Sequence, residues 1–244
     1  MTDVELPGGK FGPRRDVHFY WILDASRSMF GEKIQSLNYA VARSIPEMRK
    51  VAAKHPRANV LVRALRFATD ARWVTQRPTP LSEFEWRDIQ AEGETSMGLA
   101  LSMVCDELDG LAARVDKGER YFPPVLILVT DGHPTDERKV FEAALQRLLT
   151  HRLGESATRL AIAIGTDVGP DGMQCLRRFI NNPTIKPLEV TDLAALPRLI
   201  SIMSRSAIAI SSNPGGAAPA RIIEDAAQSD GVEWTWTPAN PGRS

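Results

Sequence analysis

The chain has 244 residues, 43% of them hydrophobic, which suits one large α/β domain, or one domain plus a tail, with a substantial core. Its 30 Lys and Arg balance its 30 Asp and Glu, so no global field draws it to nucleic acid or to an anionic membrane. The two cysteines, Cys105 and Cys175, lie far apart, excluding a four-cysteine zinc site and a disulfide-dense scaffold; both fall on apolar-periodic segments and read as buried free thiols.

Residues 1–15 are polar and rich in Gly and Pro, a flexible segment lacking the apolar stretch of a secretory signal. Val17 to Leu23 (VHFYWIL) is a short apolar run that stops at Asp24 and reads as a strand buried on both faces. After a polar stretch, Ile34, Leu37, Val41, Ile45, Met48 and Ala52 recur by threes and fours, as one face of a helix requires. Pro46 is expected to kink that helix or end it early. Asn59 to Phe67 is the next strand, and Ala71 to Thr75 pairs with it across a tight turn at Thr69-Asp70. A Pro-rich loop runs from Gln76 to Gly93. Met97, Leu101, Val104, Leu108, Leu111 and Val115 then form a second helical stripe, with Ser96 as its expected N-cap.

Pro123 to Thr130 (PPVLILVT) is the strongest strand signal and ends at Asp131-Gly132. A helix from about Asp136 to Thr150 carries Phe141, Ala144, Leu145 and Leu148 inward, with Asp136 and Glu137 in its first turn. Thr158 to Ile164 is a strand, Cys175 to Ile180 a short helix and Thr184 to Val190 a short strand. Leu196, Ile200, Met203, Ala207 and Ile210 line a final helix. This alternation predicts a doubly wound α/β fold: a mainly parallel central sheet with helices on both faces and one antiparallel edge strand. No internal repeat is found.

The expected domain covers 16–210. After it, 211–244 turns to Ser, Asn, Pro, Gly and Ala and reads as a linker or disordered tail, with a candidate docking segment at 231–238 (GVEWTWTP). The longest apolar run, Val125 to Val129, is too short to span a bilayer, and the expectation is a cytoplasmic protein.

In an open α/β sheet ligands bind at the carboxyl ends of the strands, near the point where strand order reverses. Three polar clusters fall at such ends: Asp24-Ala25-Ser26-Arg27-Ser28, Gly93-Glu94-Thr95 and Asp131-Gly132. Together they offer two carboxylates and three hydroxyls, with no histidine or thiolate. An all-oxygen set with few charges suits a hard ion such as Mg²⁺ or Mn²⁺, which wants about six oxygens and keeps several waters. The neutral hydroxyls leave such an ion under-compensated, so it would seek a carboxylate or phosphate from outside. Taken alone, Asp24, Ser26 and Ser28 are also ordinary turn and capping residues; Thr95 and Asp131 tip the balance towards a metal site.

This constellation resembles the metal-ion-dependent adhesion site of von Willebrand factor A domains, whose pattern of D-x-S-x-S, a downstream Thr and a later Asp-Gly matches Asp24, Ser26, Ser28, Thr95 and Asp131. The resemblance spans about Arg15 to Ile210. It implies that Ser26 and Ser28 ligate directly, that Thr95 ligates directly or through water, and that Asp24 and Asp131 act mostly through water. It also implies a non-enzymatic protein-interaction module. More closely, VHFYWILDASRSM, the entry Gly31-Glu32-Lys33-Ile34 and FPPVLILVTDGHPTD look like the bacterial tellurite-resistance-associated, TerY-like branch. That likeness implies a cytoplasmic chemical-stress protein linked with a protein kinase and a metal-dependent Ser/Thr phosphatase, and Thr95 as a phosphorylation target.

Two positions depart from the family pattern. Arg27 stands where a small residue is usual, and Glu94 interrupts a Gly-Gly-Thr. Turned outward, Arg27 can grip a partner's carboxylate or phosphate with two parallel hydrogen bonds. Glu94 either balances that charge or takes the open metal position itself. Arg27, Glu94 and His133 are the candidate partner contacts.

The rival function is a metal-dependent hydrolase or phosphotransferase using the same ion. The sequence holds no P-loop, G-x-G-x-x-G, H-E-x-x-H or nucleophile elbow, and Ser26 stands where a dehalogenase-type phosphatase needs a second Asp. His133 reads as a solvated loop residue rather than a base, and His18, His55 and His151 lack metal-ligand spacing. Asp70, Asp167 and Asp171 read as turn residues, Trp21, Trp73 and Trp86 as packing residues, and Trp234 and Trp236 as part of the docking segment.

Overall fold

The computed structural model describes residues 14–213 and 215–230. Residues 1–13 of the expected flexible segment, and the candidate docking segment 231–238, lie outside the described residues.

Five parallel strands make the sheet: β1 (Arg15–Asp24), β2 (Ala58–Phe67), β5 (Val125–Thr130), β6 (Thr158–Ile164) and β7 (Leu188–Val190). Two short strands, β3 (Ala71–Trp73) and β4 (Thr79–Pro80), pair antiparallel with the outer side of β2. The order is β3-β2-β1-β5-β6-β7, so the chain winds outward in one direction from β1 and in the other from β5. The crevice between those two strands is therefore the switch point, and their carboxyl ends carry Asp24 and Asp131. β1 is apolar from Phe19 to Leu23 and β5 from Val125 to Val129 because helices cover both faces; every residue of β5 is buried.

On one face α1 (Glu32–Ala53) packs against α6 (Leu196–Ser212); on the other α2 (Met97–Asp116) packs against α3 (Arg138–Thr150) and the short α4 (Arg152–Ser156). The fork-like pair Arg178–Glu142 ties α5 (Gly169–Ile180) to α3. With the preceding turn, α6 is long and apolar enough to cross a membrane by length and composition, but 61% of it is buried inside the protein. The long segment after β4 has little regular structure, yet Leu81, Phe84 and Ile89 enter the core. Asn38 holds it there by exchanging hydrogen bonds with the Ile89 backbone at 2.9 and 3.0 Å, and Arg49 donates to the carbonyls of Leu81 and Phe84.

Four local expectations are corrected. Of the two outcomes expected at Pro46, a kink or an early end, the early end does not occur: α1 continues to Ala53 with α6 packed against it. Ser96 occupies the N-cap position of α2, but its hydroxyl donates to Thr69 O; the acceptor in the first turn is Asp136, whose Oδ2 takes the Gly98 N–H at 2.8 Å. Asp136 thus lies ahead of α3, which starts at Arg138. Finally, the stretch after Ser211 holds a helix, α7 (Pro219–Ser229), that packs on α6 through buried Ile223 and Ala227 and is tied to it by the Arg205–Asp230 pair at 2.5 Å. Pro at the first helical position and apolar residues four apart drive that helix.

Candidate metal centre

The turn after β1 is built around Asp24, which is fully buried. Its Oδ1 accepts the Ser26 N–H at 2.8 Å, a side-chain-to-backbone bond that turns the chain sharply away from the strand. Its Oδ2 accepts the Thr130 hydroxyl at 2.5 Å, so the ends of β1 and β5 are locked together through this carboxylate. Ser26 Oγ lies 2.9 Å from Ser28 Oγ, and Ser28 donates to Asp131 Oδ1 at 2.7 Å. Asp24, Ser26, Ser28 and Asp131 thus form one hydrogen-bonded row at the switch point. Asp131 is fully buried and Ser28 exposed, so the row opens outward at Ser28.

Thr95 reaches the rim by a different route. Gly93 O accepts the Arg27 N–H and Ala25 O the Glu92 N–H, fastening the 92–93 segment along the Asp24–Ser28 turn. Gly93 has a φ of 70°, and a Cβ there would fall 2.3 Å from Thr69 Oγ1, so only glycine fits. Thr95 N donates to Thr135 Oγ1 at 2.9 Å and Thr95 O accepts from Thr135 N at 3.0 Å, which joins Thr95 to the loop following Asp131. Thr95 itself is buried, at 6% exposure. Arg27, Glu94 and His133 are all exposed.

Two carboxylates close together in a buried place carry an electrostatic cost. Burial pushes the Asp24 carboxyl up to about 6, against hydrogen bonds from Ser26 and Thr130 that favour the ionised form, and the charge of Asp131 adds to the rise. Part of that charge is met by Lys33, whose ammonium donates to Asp131 Oδ2 at 2.7 Å and to Asp167 Oδ2 at 3.0 Å. Desolvation lowers the basicity of Lys33, and the bonds to Asp131 and Asp167 outweigh it, so the ammonium stays above the ordinary lysine range. Its stem passes over Gly165 at the end of β6, where φ is 78° and a Cβ would sit 3.5 Å from Lys33 Cε.

Asp167, expected in a plain turn, and Lys33, expected only at the entry of a helix, both belong to this rim. A signal was present, because a cation in the first turn of a helix opposes the helix dipole and needs a carboxylate to hold it. Thr130, expected only as the last residue of its strand, is the second hydrogen-bond donor to the Asp24 carboxylate. Among the described residues no three His, Cys, Asp or Glu side chains gather in a metal-sized cluster. The donors here are instead two buried carboxylates and neutral hydroxyls, which fit a hard, partly hydrated divalent cation better than a thiophilic one. His151 is used elsewhere: its Nδ1 accepts from Leu153 N and Gly154 N at the start of α4.

No family model and no curated protein matches the sequence. The fold does match solved structures. A von Willebrand factor type A protein from Catenulispora acidiphila aligns with a TM-score of 0.61 at 17% identity, over 80% of this chain and 43% of that one. The ArnB paralog VWA2 from Sulfolobus acidocaldarius aligns with a TM-score of 0.54 at 17% identity, over 78% and 46%. Proximal thread matrix protein 1 from the mussel byssus, with a zinc-occupied adhesion-site motif, aligns with a TM-score of 0.50 at 15% identity, over 79% and 46%. The chain spans less than half the length of these three proteins. The architecture is the Rossmann-like fold of von Willebrand factor A domains, with the Asp24–Asp131 row at its switch point.

Proposed function

We propose that the chain is a non-enzymatic interaction module that holds Mg²⁺ or Mn²⁺ on Asp24, Ser26, Ser28, Thr95 and Asp131 and offers the ion to an acidic side chain or phosphate on a protein partner. One observation carries the reading: two fully buried carboxylates from neighbouring parallel strands meet two serine hydroxyls at the switch point, in a row that opens to solvent at Ser28. The serine hydroxyls would ligate directly, Thr95 directly or through water, and Asp24 and Asp131 through water. When bound, the ion supplies a Lewis-acid position for an incoming oxygen anion. Exposed Arg27, Glu94 and His133 would then meet the partner around it. The zinc held by the byssus protein of the same fold supports a divalent ion at this rim.

The finer assignment rests on the sequence resemblance alone: a cytoplasmic protein of a tellurite-resistance-type stress system, partnered with a protein kinase and a metal-dependent Ser/Thr phosphatase. Phosphorylation of Thr95 belongs to it, and at 6% exposure that hydroxyl needs the 92–96 segment to open first. Intact-mass measurement after incubation with the kinase tests it; an unmodified Thr95 removes the idea.

The central test is isothermal titration with Mg²⁺ and Mn²⁺. Wild type is expected to bind one ion, and Asp24→Ala or Ser28→Ala to lose at least about tenfold in affinity with an unchanged circular dichroism spectrum. Equal affinity in variant and wild type contradicts the site. Turnover of phosphate esters that disappears in Asp24→Ala would replace the interaction reading by the enzymatic one.

A further inference from the structure

Lys33 stands in an unusual position for a lysine. It is the second residue of α1, where the exposed N–H groups of the helix repel a cation. Its ammonium is nonetheless fixed 2.7 Å from Asp131 Oδ2, a carboxylate with no exposure of its own. The other oxygen of Asp131 accepts from Ser28, so the two together satisfy the carboxylate from the rim side. A divalent ion held on this row, with Asp131 acting through water, would share that carboxylate with the ammonium at a place of low solvent screening, where like charges interact strongly.

The same ammonium has a second partner on the outer side. Asp167, two residues before the start of α5, lies 3.0 Å away with its side chain 70% exposed. The lysine stem runs beside Gly165, where a Cβ would make only ordinary van der Waals contact with Lys33 Cε at 3.5 Å. One carboxylate is therefore internal and shared with the metal site, and the other is external and is not.

We propose that Lys33 is a tethered counter-ion that competes with the divalent cation for Asp131, and that Asp167 is the seat it retires to when the cation enters. The proposal rests on the metal-binding reading of Asp24, Ser26, Ser28 and Asp131, and adds a control to it. Cation affinity is set by how readily one ammonium gives up Asp131, and cation entry shifts the charge held by the loop between β6 and α5.

The two partners of Lys33 give variants of opposite sign. In isothermal titration of the full chain with Mn²⁺ and with Mg²⁺ at fixed ionic strength, Lys33→Met is expected to bind on the order of tenfold tighter than wild type. Asp167→Asn is expected to bind about threefold more weakly, because the displaced ammonium loses its second seat. In the Lys33→Met background the Asp167→Asn effect should shrink to within about 1.5-fold, which separates a relay through Lys33 from simple attraction between Asp167 and the ion. Wild-type binding with Lys33→Met no tighter overturns the proposal and leaves the metal site standing. Absence of binding in both proteins overturns the two together. Should Lys33→Met fail to fold, Lys33→Gln, which keeps a polar side chain without the charge, takes its place in both comparisons, and affinity no higher than wild type overturns the proposal.

Discussion

Two polar clusters share strand β1, one with β2 and the other with β5, and they are built on opposite terms. Halfway along the sheet, Arg63 of β2 meets Glu107 of α2 at 2.5 Å, donates to the carbonyls of Thr75 and Gln76, and lies 4.0 Å from the ring centre of Trp73. Next to it His18 bonds to the Tyr20 hydroxyl and packs edge-on against Tyr121. One cation faces one anion, the imidazole is neutral, and the guanidinium is spent on partners inside the protein. At the carboxyl rim, Asp24 and Asp131 face a single ammonium, with an excess of negative charge turned towards solvent through Ser28. A cluster whose buried guanidinium is paired within the protein holds the fold together; one left short of positive charge is suited to take up an ion.

The sharpest way to break that contrast is to open the closed cluster. Arg63→Ala strips Glu107 of its counter-charge and Trp73 of its stacked partner, and is expected to cost about 4 kcal/mol in urea unfolding at pH 7. The double variant Arg63→Met with Glu107→Leu should recover most of that loss, because no charge then remains unpaired. Metal affinity should stay at the wild-type value in the double variant. A drop in metal affinity would mean that the two clusters are one network.

The clusters also differ in the sign of their response to acid. Burial, and after it the charge of Arg114, lowers His18 from 6.5 to about 4. The unfolded chain therefore binds a proton at this residue more readily than the folded one. Its contribution is complete above pH 6.5 and is lost as pH falls to about 4, a loss on the order of 3 kcal/mol. Asp24 runs the other way. Its carboxyl is raised from 3.8 to about 6 in the folded protein, so this residue weakens stability as pH rises from about 4 to 6. In a chelator, His18→Gln should flatten the acid limb of the stability profile and expose that opposite slope, which Asp24→Asn then removes. Thermal melts from pH 4 to 7.5 check both; an unchanged acid limb in His18→Gln removes the interior half of the contrast.

Much of this was open to reading in the residue order. Strands buried on both faces leave apolar runs, and β1 and β5 each stop at an aspartate, so the switch point and the two aspartates at it are legible in the sequence alone. What escaped was whatever depends on a long-range partner. Lys33 and Asp167 are 134 residues apart, and neither has a local pattern that names the other. Asp136 was assigned to the helix that follows it, although it serves the start of α2, because a capping acceptor is recognised locally only when it precedes its own helix. Pro46 gave a stop signal that packing against α6 overrides. The helix α7 was hidden by the Gly-Gly-Ala-Ala stretch in front of it, although Pro219, Ile223 and Ala227 carry a helical spacing.

The smallest predicted effect tests the join between scaffold and rim. Asp136 takes the Gly98 N–H, while its neighbour Thr135 clamps both backbone groups of Thr95. Asp136→Ala removes an acceptor and a negative charge from the first turn of α2, which should lower stability by about 1 kcal/mol. It should also slacken the 135–136 loop and with it Thr95, weakening Mn²⁺ binding several-fold, whereas Asp136→Asn keeps an acceptor and should restore part of both. Ser96→Ala is the control, because its hydroxyl bonds Thr69 O rather than capping the helix, and it should stay within about 0.5 kcal/mol of wild type. Were Ser96→Ala the more damaging of the two, the cap of α2 would be local after all. Thr95 would then be positioned by its own helix and not by the strand end that carries Asp131.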